Sequence, residues 1–115
     1  MPHFLHQVSY TPEAIANLIA NPQDRFEAVR GPIENLGGRI ELGYFAFGEH
    51  DAIVITEMPD TVSAAAIALA FAAGGAVRNS TTTALLTTAE ALDAMKKAAT
   101  CGYKPIAKAA SAANR

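Results

Sequence analysis

The side chains best suited to chemistry in this sequence are a glutamate and two arginines at the ends of predicted strands. Glu57 closes an apolar run just before Pro59, and Arg78 opens a later one. A carboxylate at the edge of an apolar sheet is either paired or functional. We expect Glu57, Arg39 and Arg78 at one end of the sheet, where Arg78 would grip an anionic ligand and Glu57 would act as a base. The simpler interpretation is a structural ion pair between Glu57 and an arginine.

Two histidines are further candidates for acid–base or binding chemistry. His6 lies on the apolar phase of a predicted strand, where it is either a hydrogen-bonded core histidine or a general base. His50 and Asp51 form a tight turn and are candidate ligand-binding residues, although such an aspartate ordinarily accepts N–H groups of its own turn. With His3 beside them they would form a facial metal triad. Nothing in the sequence fixes that geometry, so we predict no metal and no cofactor.

The overall composition excludes several classes of protein. The chain has 115 residues and a net charge of −2, so it lacks the basic surface that non-specific nucleic-acid binding requires. The single Cys101 excludes an intrachain disulfide framework and fits a reducing compartment. The N-terminal residues do not read as a signal peptide, and the apolar stretch 62–77 is shorter than the roughly 20 residues of a bilayer span. We therefore predict a cytoplasmic protein with no nucleic-acid or membrane partner.

Hydrophobic periodicity predicts the elements that must position these side chains. Alternation of apolar and polar residues predicts four strands, at residues 3–10, 39–47, 51–58 and 77–86. Helical spacing predicts one helix over residues 12–36 that Pro22 kinks without ending it. Two more helices are predicted, over residues 61–73 and 88–99, each preceded by a capping residue.

The order β-α-β-β-α-β, followed by an additional C-terminal helix, is the ferredoxin-like arrangement of the α+β class. We predict the sheet order 4-1-3-2, with the first and third strands as parallel neighbours at its centre. The third strand is apolar on both faces, which suits a central position. Residues 1–100 form the predicted domain, and residues 101–115 form a C-terminal tail that ends in a short helix or a frayed terminus.

The predicted helices cover one face of the sheet and leave apolar side chains on the other. Toward the helices we place Ile40, Leu42, Tyr44 and Val54. Away from them we place Phe45, Phe47, Ile53 and Ile55. Soluble monomers rarely expose an apolar patch of several hundred Å². We therefore expect a second copy to cover this face, in a homodimer joined sheet to sheet.

Charge is divided unevenly along the chain. Residues 1–60 carry nine acids and three bases, a net charge of −6, whereas residues 61–115 carry two acids and six bases, a net charge of +4. Such a division is typical of two differently charged helical surfaces. The alternative is head-to-tail contact between copies, which would make this a structural assembly protein.

Several segments of the sequence resemble the GYD domain family. They are the turn 48–51, the run 53–60, the alanine-rich helix, the segment 75–83, Thr11 at a helix start, Pro22 with Arg25, and residues 36–38. The likeness covers roughly residues 3–90. It implies a dimeric α/β barrel, in which two ferredoxin-like sheets face one another. The turn that names the family is Gly-x-Tyr-Asp, and His50 stands here in place of the tyrosine.

Three functions fit these patterns. The first is a homo-oligomeric GYD-type module that binds a small, anionic molecule at Arg78, His50 and Asp51. The second is a cofactor-free isomerase or monooxygenase-like enzyme, a class that the resemblance to dimeric α/β barrels implies, with His6, Glu57 and Arg78 in a small cleft between sheet and helices. The third is the structural assembly protein. A cavity that holds His6 or Glu57 at a raised pKa would favour the enzyme, whereas a solid core with both groups paired would favour binding or structure.

Overall fold

The computed structural model describes residues 1–107. In chain order the elements are β1 (His3–Tyr10), α1 (Pro12–Ala20), α2 (Arg25–Asn35), β2 (Arg39–Phe45), β3 (Ala52–Glu57), α3 (Thr61–Ala73), β4 (Val77–Leu85) and α4 (Thr88–Ala98). All four predicted strands and the α+β class are confirmed. Contacts divide the described residues into two compact units, the first ending at Leu85 and the second beginning at Leu86.

The first unit contains a four-stranded sheet in the order β2-β3-β1-β4, which confirms the predicted strand order and the ferredoxin-like layout. Every neighbouring pair of strands is antiparallel. The prediction that the first and third strands are parallel is therefore wrong. Because α1 and α2 return the chain to the end from which β1 started, β2 runs in the direction of β1, and the β2–β3 hairpin then reverses β3 beside β1.

The segment between β1 and β2 forms two helices, where the sequence predicted one kinked helix. Thr11 caps α1, and its hydroxyl accepts a first-turn backbone N–H at 3.1 Å. The carboxylate of Asp24 accepts the Phe26 N–H at 2.9 Å and so starts α2. Pro22 lacks an N–H and disfavours helical geometry in the residue before it. The helix consequently ends where we expected only a kink.

The hydrophobic core lies between α2, α3 and one side of the sheet, which we call the covered face. Its buried members are Phe4, Ile33, Met58, Ala64 and Ile67, and Val29, Leu36, Ile40 and Phe71 pack around them. The carboxylate of Asp60 accepts the Ser63 N–H at 2.7 Å and so caps α3. The core therefore draws on both helices, on β1 and on Met58 just after β3, with Ile40 of β2 packed against it.

The other side of the sheet, which we call the open face, carries the apolar side chains of Leu5, Leu42, Tyr44, Ile53 and Ile55. Ile53 and Ile55 were predicted there, but the placement of Leu42 and Tyr44 under the helices is wrong. A bulge between Ile40 and Leu42 shifts the alternation, so Leu42 lies opposite Ile55 and Tyr44 opposite Ile53.

The same bulge moves Phe45 to the covered face. Its ring centroid lies 4.8 Å from that of Phe26 on α2, so its predicted outward position is wrong. Phe47 follows the end of β2 and is fully exposed. Ile40 and Val54 lie on the covered face as predicted. Ile40 precedes the bulge, and Val54 belongs to β3, which has no bulge at this point.

The second unit contains α4. The Thr87 hydroxyl accepts the Glu90 N–H at 3.1 Å, and the Glu90 carboxylate accepts the Thr87 N–H at 2.8 Å, which is the predicted capping box. Residues 99–107 form neither helix nor strand. The short helix or frayed end predicted for the C-terminal tail falls mainly on residues 108–115, outside the described residues. Within residues 1–107, no helix combines the length and hydropathy needed to cross a membrane.

Candidate functional site

The predicted site residues lie at two opposite ends of the sheet. Glu57 is paired in register with His3 on β1 and with Arg39 on β2. Arg78 lies in β4 beside the far end of β1, between the partners of Ser9 and Tyr10. The predicted corner that joins Glu57 to Arg78 is therefore wrong. Because β4 runs in the same direction as β3, the start of one strand cannot lie beside the end of the other.

At the first end, His3, Arg39, Glu41 and Glu57 meet on the open face in a group that we call the His3 cluster. His3 Nε2 donates to Glu41 Oε2 at 3.0 Å and lies 3.6 Å from Glu57 Oε2. Arg39 Nη2 donates to that same Glu57 oxygen. Glu57 is thus in the ion pair that was the simpler interpretation, and its arginine partner is Arg39.

At the other end, the turn that contains His50 and Asp51 is tied to β1. Asp51 Oδ2 accepts the Tyr10 backbone N–H at 2.8 Å. His50 Nε2 lies 3.4 Å from a carboxylate oxygen of Glu49, whereas its buried Nδ1 has no hydrogen-bond partner among the described residues. His3 belongs to the opposite end, so His3, His50 and Asp51 do not form a triad. Asp51 therefore has a structural role, because its hydrogen bond ties the β2–β3 hairpin to β1.

His6 lies at the centre of the covered face with no exposed surface. Its Nδ1 is 3.1 Å from Thr82 Oγ1 and its Nε2 is 3.0 Å from Thr56 Oγ1, so each ring nitrogen has a hydroxyl partner. The edge of the Phe71 ring packs against it. Burial lowers the pKa of His6, which keeps the ring neutral near pH 7. These contacts are those of a hydrogen-bonded core histidine.

An open groove of about 700 Å³ runs between α3 and β4, and we call it the α3–β4 groove. The wall from α3 is lined by small apolar side chains, among them Ala65, Ala68 and Ala72. The wall from β4 is more polar and presents Arg78, Asn79, Ser80 and Thr82. The groove therefore joins an apolar surface to a row of groups that can form hydrogen bonds.

The charge in this groove comes from Arg78. No other described residue that lines the groove is charged, and the Arg78 guanidinium has no ion pair or hydrogen bond within residues 1–107. Ser80 Oγ is buried and also has no hydrogen-bond partner among those residues. A cation and a hydroxyl that lack partners among the described residues, beside an apolar wall, suit a molecule with an apolar body and an anionic end.

A smaller cavity of about 180 Å³ lies between α2, α3 and the sheet. Its described walls are apolar except for Tyr10 and Arg25. Burial raises the pKa of the Tyr10 hydroxyl, and the positive charge of Arg25 offsets part of this rise. The hydroxyl is therefore protonated at neutral pH and can donate a hydrogen bond. Arg25 donates to the Gln23 side chain at 3.1 Å. Compared with the α3–β4 groove, this cavity is small for a ligand and its cation already has a partner.

Residues 4–95 match the family model of the GYD domain. The chain belongs to the GYD domain family. No curated protein matches the sequence. One similar solved structure is titled "crystal structure of FFRP-DM1"; it is 15% identical, the likeness covers 75% of this chain and 100% of that chain, and the TM-score is 0.47. A likeness that slight carries no functional argument.

Sequence reasoning about this GYD domain missed Glu41 and the groove beside Arg78. Glu41 lies at the bulge of β2, where alternation fails, so no periodic signal pointed to it. The groove depends on how far α3 lies from β4, which local sequence does not encode. The composition of α3 was the available signal, because its alanines leave space that larger side chains would fill.

Proposed function

We propose that this GYD domain is a homodimeric module that binds a small apolar molecule with an anionic group in the α3–β4 groove. The observation that carries the proposal is Arg78, which lines the groove without an acidic partner among the described residues. Arginine presents a planar fork of donors that matches the geometry of a carboxylate. The apolar body of the ligand would lie along the alanines of α3.

The hydrogen-bonding groups of β4 support the same class of ligand. Ser80 Oγ lacks a partner among the described residues, and the cost of a buried hydroxyl without one is about 1–3 kcal/mol. A carboxylate that bonds both Arg78 and Ser80 would recover that cost. Thr82 is occupied differently, because its hydroxyl contacts His6. The anionic end of the ligand is therefore assigned to the Arg78 end of the groove.

The state of the predicted catalytic residues supports binding over catalysis. His6 is fully buried, its pKa is lowered, and both of its nitrogens contact hydroxyl groups. Glu57 is held by Arg39 on the open face, away from the groove. A general base needs hydrogen-bond reach to the proton that it removes. Neither residue offers such reach to a molecule in the α3–β4 groove.

The apolar side chains of the open face support the homodimer. Leu42 is 45% exposed and Tyr44 is 63% exposed, and they lie beside Leu5, Ile53 and Ile55 on three adjacent strands. An exposed apolar sheet face of this kind is normally covered by a partner. The occupant that we assign is a second copy, because one flat face can cover its own equivalent about a two-fold axis.

Calorimetric titration with octanoate, octanol and octylamine tests the ligand class. The three molecules share one chain length and differ in the charge of the head group. We expect octanoate to bind most tightly, and Arg78→Gln to weaken it by about 10- to 100-fold, the equivalent of a lost charge-assisted hydrogen bond. The affinity for octanol should not change in that variant, because octanol carries no anionic group that could pair with Arg78.

Two further variants make this experiment specific. Arg30→Gln removes an exposed arginine of α2, which pairs with Glu27 outside the groove, and should leave octanoate binding unchanged. Ala68→Trp fills the groove and should abolish binding of all three molecules. Octanoate that binds no better than octanol, or that binds equally well to Arg78→Gln, would overturn the assignment.

Light scattering at micromolar protein concentration tests the homodimer separately. We expect the mass of two chains for the unmodified protein and of one chain for Ile55→Lys on the open face. Ile19→Lys is the matched control, since Ile19 is 75% exposed on α1, and it should remain dimeric. A monomeric unmodified protein would remove the dimer from the proposal and leave the ligand test intact.

A further inference from the structure

The His3 cluster brings three metal-ligating atoms to one point on the open face. His3 Nε2, a Glu41 carboxylate oxygen and a Glu57 carboxylate oxygen all lie within 4.8 Å of one another. His3 Nε2 is 3.0 Å from Glu41 Oε2 and 3.6 Å from Glu57 Oε2. Ligands in a tetrahedral zinc site are about 3.3–3.6 Å apart, given bonds of about 2.0–2.2 Å. The separation of 3.6 Å matches that range, and the separation of 3.0 Å is slightly shorter.

The charges of the cluster leave room for a cation. Two carboxylates, Glu41 and Glu57, face one arginine, Arg39, while the third ligand, His3, is neutral when it can bind a metal. The cluster therefore keeps an excess negative charge. Glu57 is the most enclosed member, with 15% of its side chain exposed, so the excess charge lies partly out of water.

The fold holds the three ligands on a rigid frame. His3, Glu57 and Arg39 lie in register on the three adjacent strands β1, β3 and β2. Glu41 reaches the group because of the bulge in β2, and bulges often redirect a side chain toward a site. Ligands on strands are held more closely than ligands on loops. The arrangement needs little ordering when a metal enters.

From this geometry we infer that His3, Glu41 and Glu57 bind a divalent transition metal of the zinc type. One imidazole and two carboxylates suit Zn²⁺ and disfavour Mg²⁺, which prefers oxygen ligands alone. Arg39 is the competitor for Glu57, because it donates to the same oxygen that faces His3. Metal binding therefore requires Arg39, which is 58% exposed, to swing away from Glu57.

Calorimetric titration of the full, tag-free chain with Zn²⁺ at pH 7.5 tests this site. We expect saturable binding of one ion per chain, and a loss of at least about tenfold in affinity for His3→Ala, Glu41→Gln and Glu57→Gln. Zn²⁺ should also raise the melting temperature of the unmodified protein and not that of His3→Ala. Mg²⁺ should give no saturable heat. Folding of each variant is checked by circular dichroism.

Arg39→Gln separates a metal site from a plain ion-pair network. If a metal competes with Arg39 for Glu57, this variant should bind Zn²⁺ more tightly than the unmodified protein. His50→Ala and Cys101→Ser remove a histidine at the other end of the sheet and an exposed thiol, and both should bind Zn²⁺ unchanged. Absent Zn²⁺ binding, binding that survives His3→Ala, binding lost in Cys101→Ser, or weaker binding by Arg39→Gln would each overturn the inference.

Discussion

The covered face of the sheet has two parts that are built differently. Over β1 and β3, side chains from α2 and α3 pack into the core beside the smaller cavity of about 180 Å³, and the polar His6 has hydroxyl partners at both nitrogens. Over β4, the alanines of α3 leave a groove, and Arg78 and Ser80 lack partners among the described residues. His6 is thus paired where the fold is closed, and Thr82 of the groove is paired through it, whereas Arg78 and Ser80 have no partners among the described residues where the fold is open. The closed part holds the fold, and the open part is available to a ligand.

Truncation of the closed part should cost the most stability. Ile33→Ala removes a side chain with no exposed surface, and we expect the free energy of unfolding to fall by about 2–5 kcal/mol. Ile19→Ala is the matched control at a 75% exposed position, with an expected change within about 0.5 kcal/mol. Urea unfolding measures both. Equal losses would mean that the core does not lie where the contacts place it.

Substitution of alanine at two glycines tests the same contrast, because each substitution adds one methyl group. A Cβ on Gly38 would lie 2.6 Å from the Glu57 carbonyl oxygen and 2.4 Å from Met58 Sδ. We expect Gly38→Ala to lower the free energy of unfolding by about 1–3 kcal/mol. A Cβ on Gly48, between β2 and β3, meets nothing within 4 Å, and its φ is not positive, so Gly48→Ala should raise stability by about 0.4–1 kcal/mol. Both variants are compared by denaturant midpoint, and a stabilising Gly38→Ala would contradict the packing described.

The buried His6 should give the closed part a pH dependence. Burial lowers its pKa below the ordinary value of 6.5, so the unfolded chain takes up a proton more readily than the folded chain. The stability associated with neutral His6 is complete above about pH 6.5 and is lost as pH falls below that value. His6→Gln should flatten the fall in the free energy of unfolding between pH 7 and pH 5. An unchanged slope would show that His6 is not desolvated.

The sequence predicted the elements well because their signals are local. The capping residues Thr11, Asp60 and Thr87 each bond a backbone N–H as expected. Alternation found all four strands. Gly37 marked the end of α2, and in the structure it adopts the positive φ of 85° that is typical of such an end. These features depend on neighbours within a few residues, which a single sequence displays.

The errors arose where structure depends on direction or register. The assumed parallel pairing of β1 and β3 placed Arg78 beside Glu57, and the antiparallel pairing separates them. The bulge at Glu41 exchanged the faces of Leu42 and Phe45. One reversed strand or one inserted residue moves every side chain that follows it. The candidate residues were therefore easier to find than the partners that each one meets.

The most direct test of the open groove is a chemical-shift titration of the ¹⁵N-labelled protein with octanoate. We predict saturable shifts confined to the amides of α3 and of the first half of β4, with the largest changes near Arg78 and Ser80. The Arg78→Gln variant should lose most of these shifts at the same octanoate concentration. Shifts centred on the small cavity beside Tyr10 and Arg25, or on the open face, or no saturable shifts at all, would contradict the assignment of the ligand site to the α3–β4 groove.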